Sequence, residues 1–155
     1  MRNAFDLSSR RILITGAGGG IGAATAATCA SLGAEVILVD IDRRGEGIAR
    51  EIQQAGGSAT VEVADVSRRD EVERIANQAG AIDGLVLSAA ICPWDDDWRT
   101  PDWDASFERV TNVNVLGPIH AARAFMPGMI ARRKGAIVLV GSLAGRMGGL
   151  IAGPH

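Results

Sequence analysis

Tyrosine does not occur in this 155-residue sequence, and lysine occurs once, at Lys134, so that the other 15 of the 16 Lys and Arg residues are arginines. Chemistry that needs a tyrosine acid, or a Tyr–Lys pair, cannot be completed by these residues. Cysteine is nearly missing too. Cys29 and Cys92 stand far apart and form no metal or redox spacing. No apolar run reaches the ~18 residues that would span a bilayer, and Met1-Arg2-Asn3-Ala4-Phe5-Asp6 does not read as a signal peptide. There is no excess of positive charge: 16 basic against 18 acidic residues give a net charge of −2, which argues against a nucleic-acid partner. The expected setting is reduced and cytoplasmic, with no membrane and no nucleic acid.

What remains is ordinary for a globular chain, 47% hydrophobic and 22% charged. It fits one domain over residues 1–155, able to bury roughly 68–70% of its unfolded surface. Glycine is abundant, with 20 residues that cluster.

Short runs rich in Val, Ile and Leu alternate with amphipathic stretches. Strands are expected at Arg11–Thr15, Glu35–Asp40, 58–64, 82–89 and 136–140. Helices are expected at 21–32, 43–55 and 68–79, the last capped by Ser67 with Asp70 and Glu71 in its first turns. Gly33, Gly56-Gly57 and Gly80 mark their ends. Residues 91–101 read as an irregular loop. Pro101 or Asp102 then opens a long helical region to about Arg133, with Pro118 and Pro127 as kinks or breaks. Residues 141–155 hold five glycines and no clear period. The strands are continuous apolar runs and do not alternate, which indicates burial on both faces and hence a parallel sheet covered by helices. Regular β-α-β alternation predicts a doubly wound α/β fold, the Rossmann arrangement.

Thr15-Gly16-Ala17-Gly18-Gly19-Gly20-Ile21-Gly22 follows the first strand and opens the first helix. That is the context a dinucleotide fingerprint requires. Gly16 lets the chain turn sharply, Gly20 leaves room for a diphosphate against bare backbone, and Gly22 lets the helix pack close to the sheet. The N–H groups around Gly18, Gly20 and Ile21 sit at a helix N-terminus, which favours anions. A Walker-type loop is excluded, since no Lys-Ser or Lys-Thr follows the glycines. Asp40, 18 residues past Gly22 at the end of the second strand, is placed to accept from the adenosine ribose hydroxyls. Its charge would repel a 2′-phosphate, so NAD is expected ahead of NADP, although Arg43 and Arg44 lie close by.

With these residues in place the sequence resembles the short-chain dehydrogenase/reductase family. Thr15 to Gly22 matches the family's Thr-Gly-x-x-x-Gly-x-Gly pattern in full. Asp65-Val66 resembles its Asp-Val pair, which contacts the adenine. The family's Asn-Asn-Ala-Gly falls on Leu87-Ser88-Ala89-Ala90, where only the alanine matches. Ser88 replaces part of the asparagine's hydrogen bonding, Leu87 replaces none of it, and Ala90 narrows the backbone freedom beside the cofactor. Asn112-Val113-Asn114 matches the mid-helix segment that carries a catalytic asparagine, here Asn114. The segment 135–145 matches the fifth strand and the catalytic serine region, with Ser142 in the serine's place.

The resemblance implies strand order 3-2-1-4-5 and hydride transfer between NAD and a secondary alcohol or its ketone. It implies nucleotide contacts at Gly16, Gly18, Gly20, Ile21, Gly22, Asp40, Asp65, Val66, Ser88, Ala89 and Ala90, and catalytic roles for Ser142 and Asn114. In the family the acid/base is the tyrosine of a Tyr-x-x-x-Lys motif, a dozen to fourteen residues past the serine. Thirteen residues past Ser142 is His155, the last residue of the sequence. The expectation is therefore an N-terminal portion of a longer enzyme, lacking the later strands and inactive by itself. The apolar fifth strand would otherwise be a bare sheet edge. A homo-oligomer, dimer or tetramer, is implied for the full-length form. The rival reading is a non-catalytic NAD-binding sensor or scaffold.

Other features carry less. The tryptophans of Pro93-Trp94-Asp95-Asp96-Asp97-Trp98 would border a substrate pocket or pack as a surface loop. Its three carboxylates have no second ligand cluster, so no metal is expected. Arg132-Arg133-Lys134 suits a helix C-terminus. His120 reads as a packing or interface residue and Cys29 as a small buried side chain. His155, on a Gly-Pro tail, is poorly placed to act as a base.

Overall fold

The computed structural model describes residues 5–93, 99 and 101–143. The expectations for the Trp94 to Trp98 loop, its Asp95-Asp96-Asp97 run and His155 lie outside the described residues.

The chain runs β1 (Arg11–Thr15), α1 (Gly20–Ser31), β2 (Glu35–Asp40), α2 (Gly45–Gln54), β3 (Ser58–Val63), α3 (Arg69–Ala79) and β4 (Gly84–Leu87). It continues through α4 (Trp103–Thr111), a π-helical turn (Asn112–Leu116), α5 (Gly117–Arg132) and β5 (Ala136–Leu139). The strands form one sheet in the order β3-β2-β1-β4-β5 with parallel neighbours, as expected for a Rossmann fold.

The continuous apolar runs have a direct structural reason. Successive strand residues point to opposite faces, and both faces of this sheet are covered. Ile12, Ile14, Val36 and Leu38 point to one face, where α1 and α2 add Ala26, Ala30, Ala49 and Ile52. Leu13, Ile37 and Val39 point to the other, beneath Val72 and Ile75 of α3 and Ala121, Phe125 and Met129 of α5. The helices dock along single seams. Gly22, Ala26 and Ala30 line α1, and Gly117, Ala121, Phe125 and Met129 line α5, each at four-residue spacing. β5 at the edge is different: all four of its residues are exposed, Leu139 at 63%.

Several local expectations need correction. Ser67 does not cap α3: its N–H and hydroxyl both donate to Asp65 Oδ1, at 2.9 and 2.7 Å, and the helix starts two residues later with no side-chain cap. Asp65 thus draws Ser67 into an Asx turn before the helix. α2 starts at Gly45 and not at Arg43, because Asp42 Oδ1 accepts the Arg44 N–H at 2.9 Å and holds that segment in a turn. β4 is shorter than the apolar run 82–89 that announced it.

The long helical region is interrupted at Asn112–Leu116 and not at Pro127. Pro127 sits on the solvent face of α5, so the carbonyl of Arg123 that its missing N–H leaves unmatched can meet water. α5 closes at Arg133 in the left-handed conformation, φ 51°. Beyond it, the basic run ties down the N-terminal rim of the sheet. Arg132 donates to the Ile82 carbonyl at 2.8 Å, and Lys134 lies 2.6 Å from Asp83.

Candidate nucleotide-binding and active site

Order 3-2-1-4-5 reverses direction between β1 and β4, and open parallel sheets bind ligands at the C-terminal ends of the strands flanking such a reversal. A cleft of about 770 Å³ opens there, lined by residues of the glycine loop, the ends of β2, β3, β4 and β5, and the π turn. It holds eleven of the thirteen expected site residues: Gly16, Gly20 and Ile21; Asp40, Asp65 and Val66; Ser88, Ala89 and Ala90; and Asn114 with Ser142. Gly18 and Gly22 are not among its lining residues but belong to the loop and helix start that border it.

The glycine loop is built by close approach. Gly16 has φ +68°, and a Cβ there would lie 2.7 Å from Ala89 Cα, so the loop presses directly on the chain leaving β4. A Cβ on Gly22 would collide with the Gly16 carbonyl carbon and oxygen. That glycine therefore brings the helix against the loop's own backbone, a refinement of the expected helix–sheet contact. Gly20, at φ +51°, has open space where a side chain would stand. The first i→i−4 bond of α1 runs from the Ala23 N–H to the Gly19 carbonyl at 3.1 Å. The N–H groups of Gly20, Ile21 and Gly22 precede it and are the helix's open donors. α1 has no acidic residue in its first turn to compete for them. Gly18 contributes differently: its N–H donates to Asp40 Oδ2 at 2.8 Å.

Asp40 also accepts the Ile41 N–H at 2.9 Å through Oδ1, and its side chain is 10% exposed. Its carboxylate is therefore fixed at the cleft wall while keeping lone pairs for a further donor. Arg44 reaches over it, with Nη2 3.5 Å from Asp40 Oδ1 and Nε 2.9 Å from both oxygens of Asp42. The Arg44 backbone N–H, and after it the Arg44 guanidinium, hold the exposed Asp42 carboxyl below the usual carboxylate range. Arg43 turns away to Glu46 at 2.7 Å.

On the floor, Thr15 Oγ1 accepts the N–H groups of Ser88 and Ala89 at 3.2 and 3.3 Å, joining the ends of β1 and β4. Asp65 has one oxygen occupied by Ser67, and its N–H donates to Glu71 Oε2 at 2.8 Å. The Val66 carbonyl accepts from the His120 Nδ1–H at 3.2 Å, which gives that histidine a place in the packing.

Asn114 sits on the π turn. Its Oδ1 accepts the Ile91 N–H and its Nδ2 donates to the Ile91 carbonyl, both at 2.9 Å. The side-chain amide is thus engaged in holding the loop after β4. Pro118, one turn on, has no N–H to offer the Asn114 carbonyl. Single-turn π segments inside helices occur frequently at functional sites. The sequence reading missed Ile91 as part of the cleft. Ile91 and Asn114 are 23 residues apart, and no local pattern announces such a pair.

A site of this form has many counterparts. The family model of the short chain dehydrogenases matches residues 10–153. Oxidoreductase UcpA of Escherichia coli strain K12 is 37% identical over 145 residues, 91% of this chain and 54% of that protein. Galactitol 2-dehydrogenase (L-tagatose-forming) of Cereibacter sphaeroides is 38% identical over 148 residues, 93% of this chain and 57% of that protein. Among solved structures, a metagenomic short-chain oxidoreductase in complex with NADP superposes with a TM-score of 0.87 at 35% identity, over 96% of this chain and 68% of that one. A 3-oxoacyl-[acyl-carrier protein] reductase from Brucella melitensis with bound NAD gives 0.88 at 30%, over 96% and 59%. The chain spans about half the length of the curated relatives it matches. Matched across nearly all its residues and folded on the same plan, the chain belongs to the short-chain dehydrogenase family of oxidoreductases.

Proposed function

We propose that residues 1–155 form one nucleotide-binding domain of an oxidoreductase that moves hydride between NAD and a secondary alcohol or its ketone. The observation that carries this reading is the pairing, in one cleft, of an open helix N-terminus with a fixed carboxylate at the end of the neighbouring strand. The residues fit a dinucleotide. The cleft falls in the size range of cofactor pockets, Gly20 leaves its face clear, and the donors of Gly20, Ile21 and Gly22 suit a diphosphate. Asp40 has acceptor capacity for ribose hydroxyls, and Asp65 with Val66 borders the adenine side. Ser88, Ala89 and Ala90 carry bare backbone along the floor.

Bound NAD supplies the hydride acceptor at its nicotinamide ring. The Ser142 hydroxyl would orient the substrate oxygen. Asn114 holds Ile91 by both ends of its side-chain amide and so positions the loop after β4 beside the reacting centre. An acid/base is still required, and the sequence contains no tyrosine to provide one. General acid–base help is worth ~10²–10⁴-fold. These 155 residues alone are therefore expected to bind NAD with little or no alcohol-dependent NADH formation. A full-length homo-oligomer working in the cytoplasm on a small alcohol or ketone completes the proposal. Among the described residues no helix is long and apolar enough to cross a membrane.

Calorimetric titration with NAD tests the site. Saturable binding that is lost in Asp40→Ala supports it, and no heat at millimolar nucleotide overturns it. Robust NADH production by the same purified chain would overturn the inactivity.

A further inference from the structure

We infer that His120 is a positioning residue for nucleotide binding: reaching across from α5, it sets the place of Val66 and with it the adenine wall of the cleft. The inference rests on the cofactor reading above and deepens it at the adenine end. The wall is the chain leaving β3. Ala64, Asp65 and Val66 line the cleft there, and each is held from a different element. The Ala64 N–H donates to the Asp40 carbonyl at the end of β2, at 2.8 Å. The Asp65 N–H donates to Glu71 on α3. The Val66 carbonyl accepts from His120 Nδ1–H on α5, 54 residues further along the chain.

α5 meets Val66 at a second point. Gly117 lies one turn before His120, and a Cβ there would stand 2.9 Å from Val66 Cγ2. The bare glycine lets the helix close on Val66 and brings the imidazole within reach of its carbonyl. Val66 is buried, so a carbonyl deprived of this donor would turn outward for water and carry its main chain along. Two groups of the wall complement a purine. Ser67 occupies Asp65 Oδ1, which leaves Oδ2 as an acceptor. The Val66 N–H has no partner among the described residues and stands as a donor. An acceptor beside a donor suits the 6-amino group and N1 of adenine. It mismatches the keto group and N1–H of hypoxanthine. A site built to hydrogen-bond one ligand rejects an analogue that leaves its own polar groups unpaired. That discrimination holds only while Val66 is held in place.

The experiment titrates NAD and its deaminated analogue, nicotinamide hypoxanthine dinucleotide, by calorimetry into the unaltered chain, His120→Leu and His120→Asn. Leu keeps bulk without the donor. Asn carries an amide nitrogen as many bonds from Cβ as the imidazole Nδ1. The imidazole is half-buried, so either side chain has room, and denaturant midpoints report the folding of each variant. The unaltered chain is expected to prefer NAD by about tenfold. His120→Leu is expected to lower NAD affinity about two- to tenfold and to flatten the preference, and His120→Asn to restore both. If His120→Leu binds NAD with its preference intact, whether or not affinity falls, the inference is overturned and the cofactor reading stands. The same follows if the unaltered chain shows no preference or if His120→Asn fails to restore it. If neither nucleotide binds the unaltered chain, the cofactor reading fails and takes the inference with it.

Discussion

The two rims of the sheet are built on opposite plans. At the N-terminal rim, charge is matched and main chain is closed. Asp83 accepts the Arg11 N–H at 3.1 Å and pairs with Lys134 at 2.6 Å and Arg10 at 3.6 Å. Arg11 pairs with Glu35 at 3.0 Å and donates to the Ala79 and Ala81 carbonyls. At the C-terminal rim, glycines hold main chain open, helix donors are left without intrahelical partners, and the polar side chains mainly fix backbone. One rim ties β1, β4 and β5 together, and the other is free to bind. In an open parallel sheet this division lets ligand contacts vary without loosening the strands that carry them.

Substitutions at the two rims should separate stability from binding. The largest effect is expected at Gly22→Ala. A methyl group there drives α1 off the Gly16 carbonyl, costs about 1–3 kcal/mol of stability, and abolishes NAD binding because the open donors lose their aim. Chemical denaturation and calorimetry on one preparation would show both. Unchanged binding would break the link drawn between helix approach and the diphosphate site.

Asn114→Ala comes next. It leaves the Ile91 N–H and carbonyl without partners and is expected to cost about 1–3 kcal/mol, with NAD affinity falling several-fold as the loop after β4 loosens. Recovery of affinity in Asn114→Gln would show that amide chemistry can suffice without the exact reach.

The smallest effect is expected at Asp83→Asn, about 1 kcal/mol at neutral pH, with NAD affinity untouched. Lys134, Arg10 and the Arg11 N–H hold the Asp83 carboxyl below its ordinary value near 3.8. A depressed folded-state value means that the stabilisation is fully present above the unfolded value and is lost as pH falls through the folded one. The gap between the native chain and Asp83→Asn should therefore close as pH is taken from 5 toward 2, followed by denaturant midpoints. A gap that persists at low pH would mean that shape, not charge, ties that rim.

The sequence reading reached the two rims unequally. The open rim announced itself because glycine spacing and the strand-end Asp40 are local signals, so the turn and the acid were legible, while the strand order came with the family resemblance. The closed rim was not. Asp83 lay inside an apolar run that read as strand from 82 to 89, and its partners Arg10, Arg11 and Lys134 are distant along the chain. The π turn was invisible for a related reason. Asn112-Val113-Asn114-Val115-Leu116 contains no proline or glycine, and the widening shows only where Asn114 reaches Ile91 across the cleft. Ser67 misled because a cap and an Asx turn use the same residue types, and Asp65, two residues earlier, decided between them.

The Asn114–Ile91 pair also bears on how the cleft can breathe. By fastening the turn between α4 and α5 to the segment after β4, it makes one side of the opening a single stiff body. The opposite side, where exposed Ile41 and Arg44 lead into α2, is held by short-range hydrogen bonds within its own segment and by ion pairs at the surface. One jamb of the cleft is thus pinned across the sheet, and the other is braced only along its own length.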